Sequence, residues 1–151
     1  MQRFLLRTGL FLTPLALLIA CLELAVRAIP NNYRHHHEQL TLHGDSIQVL
    51  ILGNSHAFNG VDPEGFPVAA YNASNISQDH RRDLAILRRY MEHLPALRHV
   101  VVAASYASLC SRLETGAEPW RVKNYVLYMD MPEQASEPIH HAELLNGKPR
   151  D

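Results

Sequence analysis

The chain has 151 residues, 47% of them hydrophobic, and its 14 basic and 15 acidic residues leave a formal net charge of −1. That length allows one domain at most, and with no basic run longer than Arg81-Arg82 or Arg88-Arg89 it carries no electrostatic footprint for nucleic acid. The two cysteines, Cys21 and Cys110, lie far apart in the pattern and leave the redox compartment undecided.

At the N-terminus, Arg3 and Arg7 flank a charge-free run from Thr8 to Leu22, after which Glu23 and Leu24-Ala-Val precede Arg27. The run alone is shorter than the roughly 20 residues a spanning helix needs. Adding Phe4 to Leu6 and Leu24 to Val26, with Arg7 snorkelling, reaches membrane length. Residues 1–29 are therefore predicted to form a signal anchor, a single transmembrane helix whose partner is the lipid bilayer. Basic residues near the start favour a cytoplasmic N-terminus against the weaker pull of Arg27 and Arg34, so the bulk of the chain is expected outside the cytoplasm. Two alternatives stay open: Leu18-Ile-Ala-Cys21 fits a lipobox in which Cys21 becomes lipidated, and the segment also fits a cleaved secretory signal.

Pro30 is expected to end the helix and to open a polar, His-rich juxtamembrane linker over 30–46. His35-His36-His37, with His43 or His56 nearby, raise the question of a metal. Consecutive histidines in a linker rarely converge on one ion, and no His-Glu-x-x-His or Cys-x-x-Cys accompanies them, so neither metal nor other cofactor is expected. Gly44-Asp45-Ser46 reads as a polar turn ahead of the next strand.

An α/β unit is predicted over 47–130. Ile47 to Leu52 reads as a strand covered on both faces. Gly53 can take the backbone angles of a sharp exit, and Ser55 two residues on would then sit on the rim at the strand's C-terminal end with its hydroxyl exposed. The same spacing also fits an ordinary turn. A short strand near Val68 to Tyr71 follows, then a polar loop from Asn72 to Ser77. Ser77 is expected to cap a helix with Asp79 in its first turn and Leu84, Leu87, Met91 and Leu94 facing a sheet, with Pro95 closing it. His99 to Ala104 reads as a further strand, and Trp120 to Met129 as a weaker helix. Residues 131–151 read as a polar, solvated tail. The alternation predicts a parallel, doubly wound sheet preceded by one transmembrane helix, with too few strands to complete it.

The segment Ile47 to Pro63, Ile-Gln-Val-Leu-Ile-Leu-Gly-Asn-Ser-His-Ala-Phe-Asn-Gly-Val-Asp-Pro, resembles the first block of the SGNH hydrolase superfamily, the GDSL-type esterases. The nucleophilic serine of that superfamily follows the first strand as Gly-Asp-Ser; here Asn54 stands in place of the aspartate. The Gly-Asn-Ser-His version is most similar to a membrane-anchored bacterial subgroup related to the D-alanyl-lipoteichoic acid biosynthesis family. Tyr71 to Asp79 and His99 to Tyr106 are similar to that subgroup too, so the resemblance covers roughly 30–128. It implies a flavodoxin-like SGNH sheet, of which this chain would be the N-terminal portion, on the outer face of a bacterial cytoplasmic membrane. It also implies an acyl-ester hydrolase or O-acyltransferase acting on cell-envelope polysaccharide, with Ser55 as nucleophile and the Ser55 backbone N–H as first oxyanion donor.

The second oxyanion donor of that family is a glycine N–H in the loop after the second strand; no glycine occurs from Asn72 to Ser77, and Asn75 or an amide near it is the expected substitute. The third, an asparagine after the next strand, is replaced by Ser105-Tyr106. The family's Asp-x-x-His has no counterpart downstream of Ser55. Glu137-Pro-Ile-His140 has a similar spacing, and His56 adjoins the nucleophile. The competing expectation is therefore a catalytically incomplete relative that serves as a non-enzymatic envelope accessory.

Overall fold

The computed structural model describes residues 1–135 and 137–145, with the side chains of residues 2, 5, 106 and 107 outside that description. Helix α1 runs from Gln2 to Arg27 and contains the apolar stretch Leu6–Arg27, long and apolar enough to cross a membrane and with nothing packed over its most apolar window. Pro14 lies inside it, and the Thr13 hydroxyl donates to the Gly9 carbonyl one turn back. A long helix that is apolar all round has no core-facing stripe, which is the pattern expected of a membrane span rather than a surface helix.

Where the sequence predicts a linker over 30–46, the structure has a second helix, α2, from Asn32 to Leu42. The side chain of Asn31 caps it by accepting from the Arg34 N–H at 3.0 Å. Tyr33, His36 and Leu40 are buried on one face, at the i, i+3, i+7 spacing of an amphipathic helix. Two of the histidines are thus drawn into the fold while His35 and His43 stay exposed: His36 Nδ1 meets the Tyr71 hydroxyl at 2.7 Å and His37 Nδ1 the Tyr90 hydroxyl at 2.8 Å. Among the described residues no cluster of His, Cys, Asp and Glu is arranged to hold a metal.

A short 3₁₀ turn, Gly44–Ser46, leads to β1, Val49–Leu52. All four residues of β1 are buried, each aliphatic side chain worth about 1.5–3 kcal/mol on leaving water. β1 is the central strand of a three-stranded parallel sheet of order β2-β1-β3, with β2 spanning Ala70–Asn72 and β3 spanning His99–Val102. The register pairs Leu50 with Tyr71 on one side and with Val100 on the other. Between the strands run α3, Ser55–Gly60, and α4, His80–Tyr90.

Two details of α4 depart from expectation. Asp79, not Ser77, is the cap, accepting from the Arg82 N–H at 2.9 Å, because Ser77 lies before it in the left-handed region at φ 59°. The buried face is Arg82, Asp83, Ile86 and Tyr90, while Leu84 and Met91 are exposed. Leu87 and Leu94 do pack on the core, and Leu84 and Leu87 border a shallow apolar groove with Val100 and Val102 of the sheet. β3 is exposed along its whole length, unusual for a parallel strand, which ordinarily is covered on both faces.

After β3 come α5, Tyr106–Cys110, and α6, Val122–Tyr128. The expected solvated tail packs back onto α6 as far as it is described. Met131 is fully buried and donates its N–H to the Tyr125 carbonyl, and His140 is buried in the 3₁₀ turn Pro138–His141. Tyr33, Leu50, Ile86, Tyr90, Val122, Tyr125 and Met129 gather these elements into one core.

Candidate active site

The loops that follow the three strands meet at one end of the sheet, where the chain leaves β1 for β2 on one side and later returns to β3 on the other. Crevices of open parallel sheets form at such a reversal, beyond the carboxyl ends of the strands. Here the crevice is a cleft of about 250 Å³ lined by Asn54, Ser55, Ser77, Gln78, Ser108 and Arg112 among others.

Gly53 makes the exit from β1 at φ 139°, and a Cβ on it would stand 2.9 Å from the Ala103 Cβ. The turn is therefore closed to other residues by both torsion and space. Its carbonyl accepts from the Asn75 N–H at 3.2 Å, tying the loop after β1 to the loop after β2. Asn54, at the position where the resemblance has aspartate, caps α3. Its Oδ1 accepts from the His56 N–H at 3.0 Å and its Nδ2 donates to the Ser105 hydroxyl at 3.3 Å, which ties in the loop after β3. Ser105 and Ser108 close a reciprocal capping box at that third loop. Ser55 is held as the first residue of α3 by these ties, half-buried at the cleft, and its hydroxyl has no hydrogen-bond partner among the described residues.

The remaining expected groups are placed as follows. The side chain of Asn75 is buried and donates to Gln78 Oε1 at 3.2 Å; with its backbone N–H on Gly53, two of its donors hold the loops together. The His56 ring is exposed, and no described hydrogen bond joins it to Ser55. His140 Nδ1 accepts from the Glu137 N–H at 3.2 Å, so the Glu137-Pro-Ile-His140 spacing serves a local turn. The hydroxyl of Tyr106 lies outside the described residues.

The sequence reading missed the polar scaffold beneath the cleft. Gln78 Nε2 donates to Asp83 Oδ1 at 2.7 Å, its Oε1 accepts from the Tyr125 hydroxyl at 3.0 Å, and His80 Nδ1 lies 2.9 Å from Asp83 Oδ2. Burial pushes the Asp83 carboxyl up, against the pull of Gln78 and His80, and the neighbouring Asp79 charge adds to the rise. Asp79 Oδ2 accepts from the Leu113 N–H at 2.7 Å and from Arg82 at 3.2 Å, fastening the cleft wall to α4. Arg82, fully buried, also reaches Glu114 at 2.6 Å. Burial opposes ionisation of Glu114, but its own backbone N–H and Arg82 outweigh it and hold that carboxyl below the usual range. The visible signal for this scaffold is Asp79-x-x-Arg82, a cap followed by a cation in the first turn.

No family model, curated protein or solved structure matches the chain. A serine at the carboxyl end of the central strand, fixed by ties to both neighbouring loops and open to a polar cleft, is mounted as a nucleophile would be. A histidine or carboxylate hydrogen-bonded to its hydroxyl is not found among the described residues, and acyl transfer through serine requires such a base.

Proposed function

We propose that this chain is a membrane-anchored SGNH-type acyl-ester hydrolase or O-acyltransferase that acts on cell-envelope polysaccharide, with Ser55 as its nucleophile. In this reading α1 spans the bacterial cytoplasmic membrane and the sheet, a doubly wound SGNH sheet in part, lies on its outer face. The observation that carries the reading is the position of Ser55, its hydroxyl without a hydrogen-bond partner among the described residues and open to the cleft, seated by Gly53 and Asn54 at the reversal of the sheet. Ser55 Oγ attacks the ester carbonyl carbon while its proton passes to a base. The tetrahedral intermediate collapses, the ester C–O bond breaks and the departing alkoxide takes the proton. Water or a sugar hydroxyl then attacks the acyl carbon and gives its proton to the base; the Ser55 Oγ–acyl bond breaks and Ser55 Oγ takes that proton back.

The absence of a base bonded to Ser55 among the described residues favours a second reading, a non-enzymatic accessory of envelope assembly with the same anchor. A fluorophosphonate probe on the full chain in detergent separates the two. Labelling of the wild-type chain that vanishes in Ser55→Ala supports an activated hydroxyl; labelling no greater than that of Ser46 or Ser111, read by peptide mapping, removes the esterase reading.

A further inference from the structure

We infer that the turn at residues 142–145 is a second membrane contact, seated beside α1 at the outer boundary of the bilayer. The inference rests on the reading of α1 as a span. The apolar stretch Leu6–Arg27 has 22 residues, about 33 Å at the helical rise, against a hydrocarbon core of about 30 Å. Glu23 lies four residues before its end, hence about 6 Å inside it. A solitary carboxylate at that depth is expensive. Glu23 is not solitary: it accepts from the Glu143 N–H at 2.8 Å, from the Leu144 N–H at 2.9 Å and from Arg27 Nε at 2.7 Å. Arg27 in turn donates to the His141 carbonyl at 2.7 Å. The turn is therefore fastened to the last turns of the helix at the depth of Glu23 itself.

What the turn offers at that depth suits lipid. Leu144 is 45% exposed and Leu145 70% exposed, and Ile29, 60% exposed, follows the end of α1. The one charged residue of the turn, Glu143, is already neutralised. It pairs with Lys123 and accepts from the Tyr128 hydroxyl at 2.5 Å, with the Lys123 and Glu143 side chains only 12% and 8% exposed. Leucines outside and paired charges inside are the composition of an element that enters the headgroup and acyl boundary at low desolvation cost.

The test uses the full chain, with Cys21 and Cys110 replaced by serine, reconstituted in phosphatidylcholine vesicles. An environment-sensitive fluorophore is placed on Leu145→Cys and, separately, on Leu17→Cys within α1. The expected result is loss of emission from both probes with spin-labelled lipid and shielding of both from aqueous iodide, the Leu145 probe responding to the label nearest the headgroup. A Leu145 probe quenched by iodide alone, with the Leu17 probe still quenched by lipid, overturns the second contact and leaves the span intact. Iodide quenching of the Leu17 probe overturns the span and this inference with it. In Glu23→Ala the Leu145 probe loses lipid quenching while the Leu17 probe keeps it; equal quenching of Leu145 in that variant overturns the fastening by Glu23.

Discussion

Acidification should destabilise the protein through His36, and the size of the effect follows from its surroundings. The residue is 5% exposed, with its ring edge-on to Tyr71 and Nδ1 on the Tyr71 hydroxyl. Burial, aided by the neighbouring His35, lowers its pKa from 6.5 to about 4, against a smaller opposing bond from the Ser74 backbone. Between those values the unfolded chain binds a proton that the folded chain refuses. Stability is thus complete above about pH 6.5 and falls as the pH drops towards 4. The shift from 6.5 to about 4 corresponds to roughly 3 kcal/mol, of which about 2 kcal/mol is lost between pH 7 and pH 4.5. Trp120, the one tryptophan, reports urea unfolding of the detergent-solubilised chain at a series of pH values. Carboxylates titrate in the same window, so the decisive quantity is the difference from His36→Phe, which keeps an aromatic ring but cannot titrate. The variant's curve should be flatter by about 2 kcal/mol over that interval. Parallel curves for the two proteins would refute the reasoning.

Gly53→Ala should lower stability by about 2–4 kcal/mol through the φ 139° torsion and the 2.9 Å approach to Ala103, read as a lower urea midpoint, and should abolish any probe labelling of Ser55. Asp79→Ala removes the cap of α4 and strands part of the Arg82 charge in the interior, a loss of about 3–5 kcal/mol; Asp79→Asn should lose less, because its amide oxygen still caps the helix. Val101→Lys, on the exposed edge strand β3, should reduce aggregation on heating as measured by light scattering, since a charge on an edge discourages strand pairing between chains.

The strands and the serine turn were legible because their physics is local. Val49 to Leu52 is a continuous aliphatic run, and the glycine after it marks a torsion that other residues avoid. β3 was legible for the same reason, yet its exposure was not, since nothing in Val100-Val101-Val102 says how many neighbours the strand acquires. α2 was hidden by chemistry: its buried stripe is Tyr33, His36 and Leu40, so a hydropathy reading sees histidines and predicts solvent. The stripe becomes apolar in effect only through the Tyr71 hydroxyl, which meets His36 from 35 residues away. Asp79 displaced Ser77 as cap because the Asn75 and Gln78 bonds hold the preceding loop in a left-handed turn, a tertiary demand invisible in the local string. Packing of the chain after Tyr128 escaped notice because prolines and single charges read as a tail, whereas Met131 and His140 each fill the core beside α6.

The connection between α1 and α2 is only Ala28 to Asn31, and the Glu23 and Arg27 bonds to the turn at 141–144 remove most of the slack that even four residues would allow. A domain on a long flexible tether sweeps a hemisphere above its anchor and can meet solutes well away from the bilayer. With α1 in the membrane, this head has no such reach. Whatever occupies the cleft beside Ser55 must then come to the membrane surface, and only a ligand itself held in the bilayer is met by a search in two dimensions.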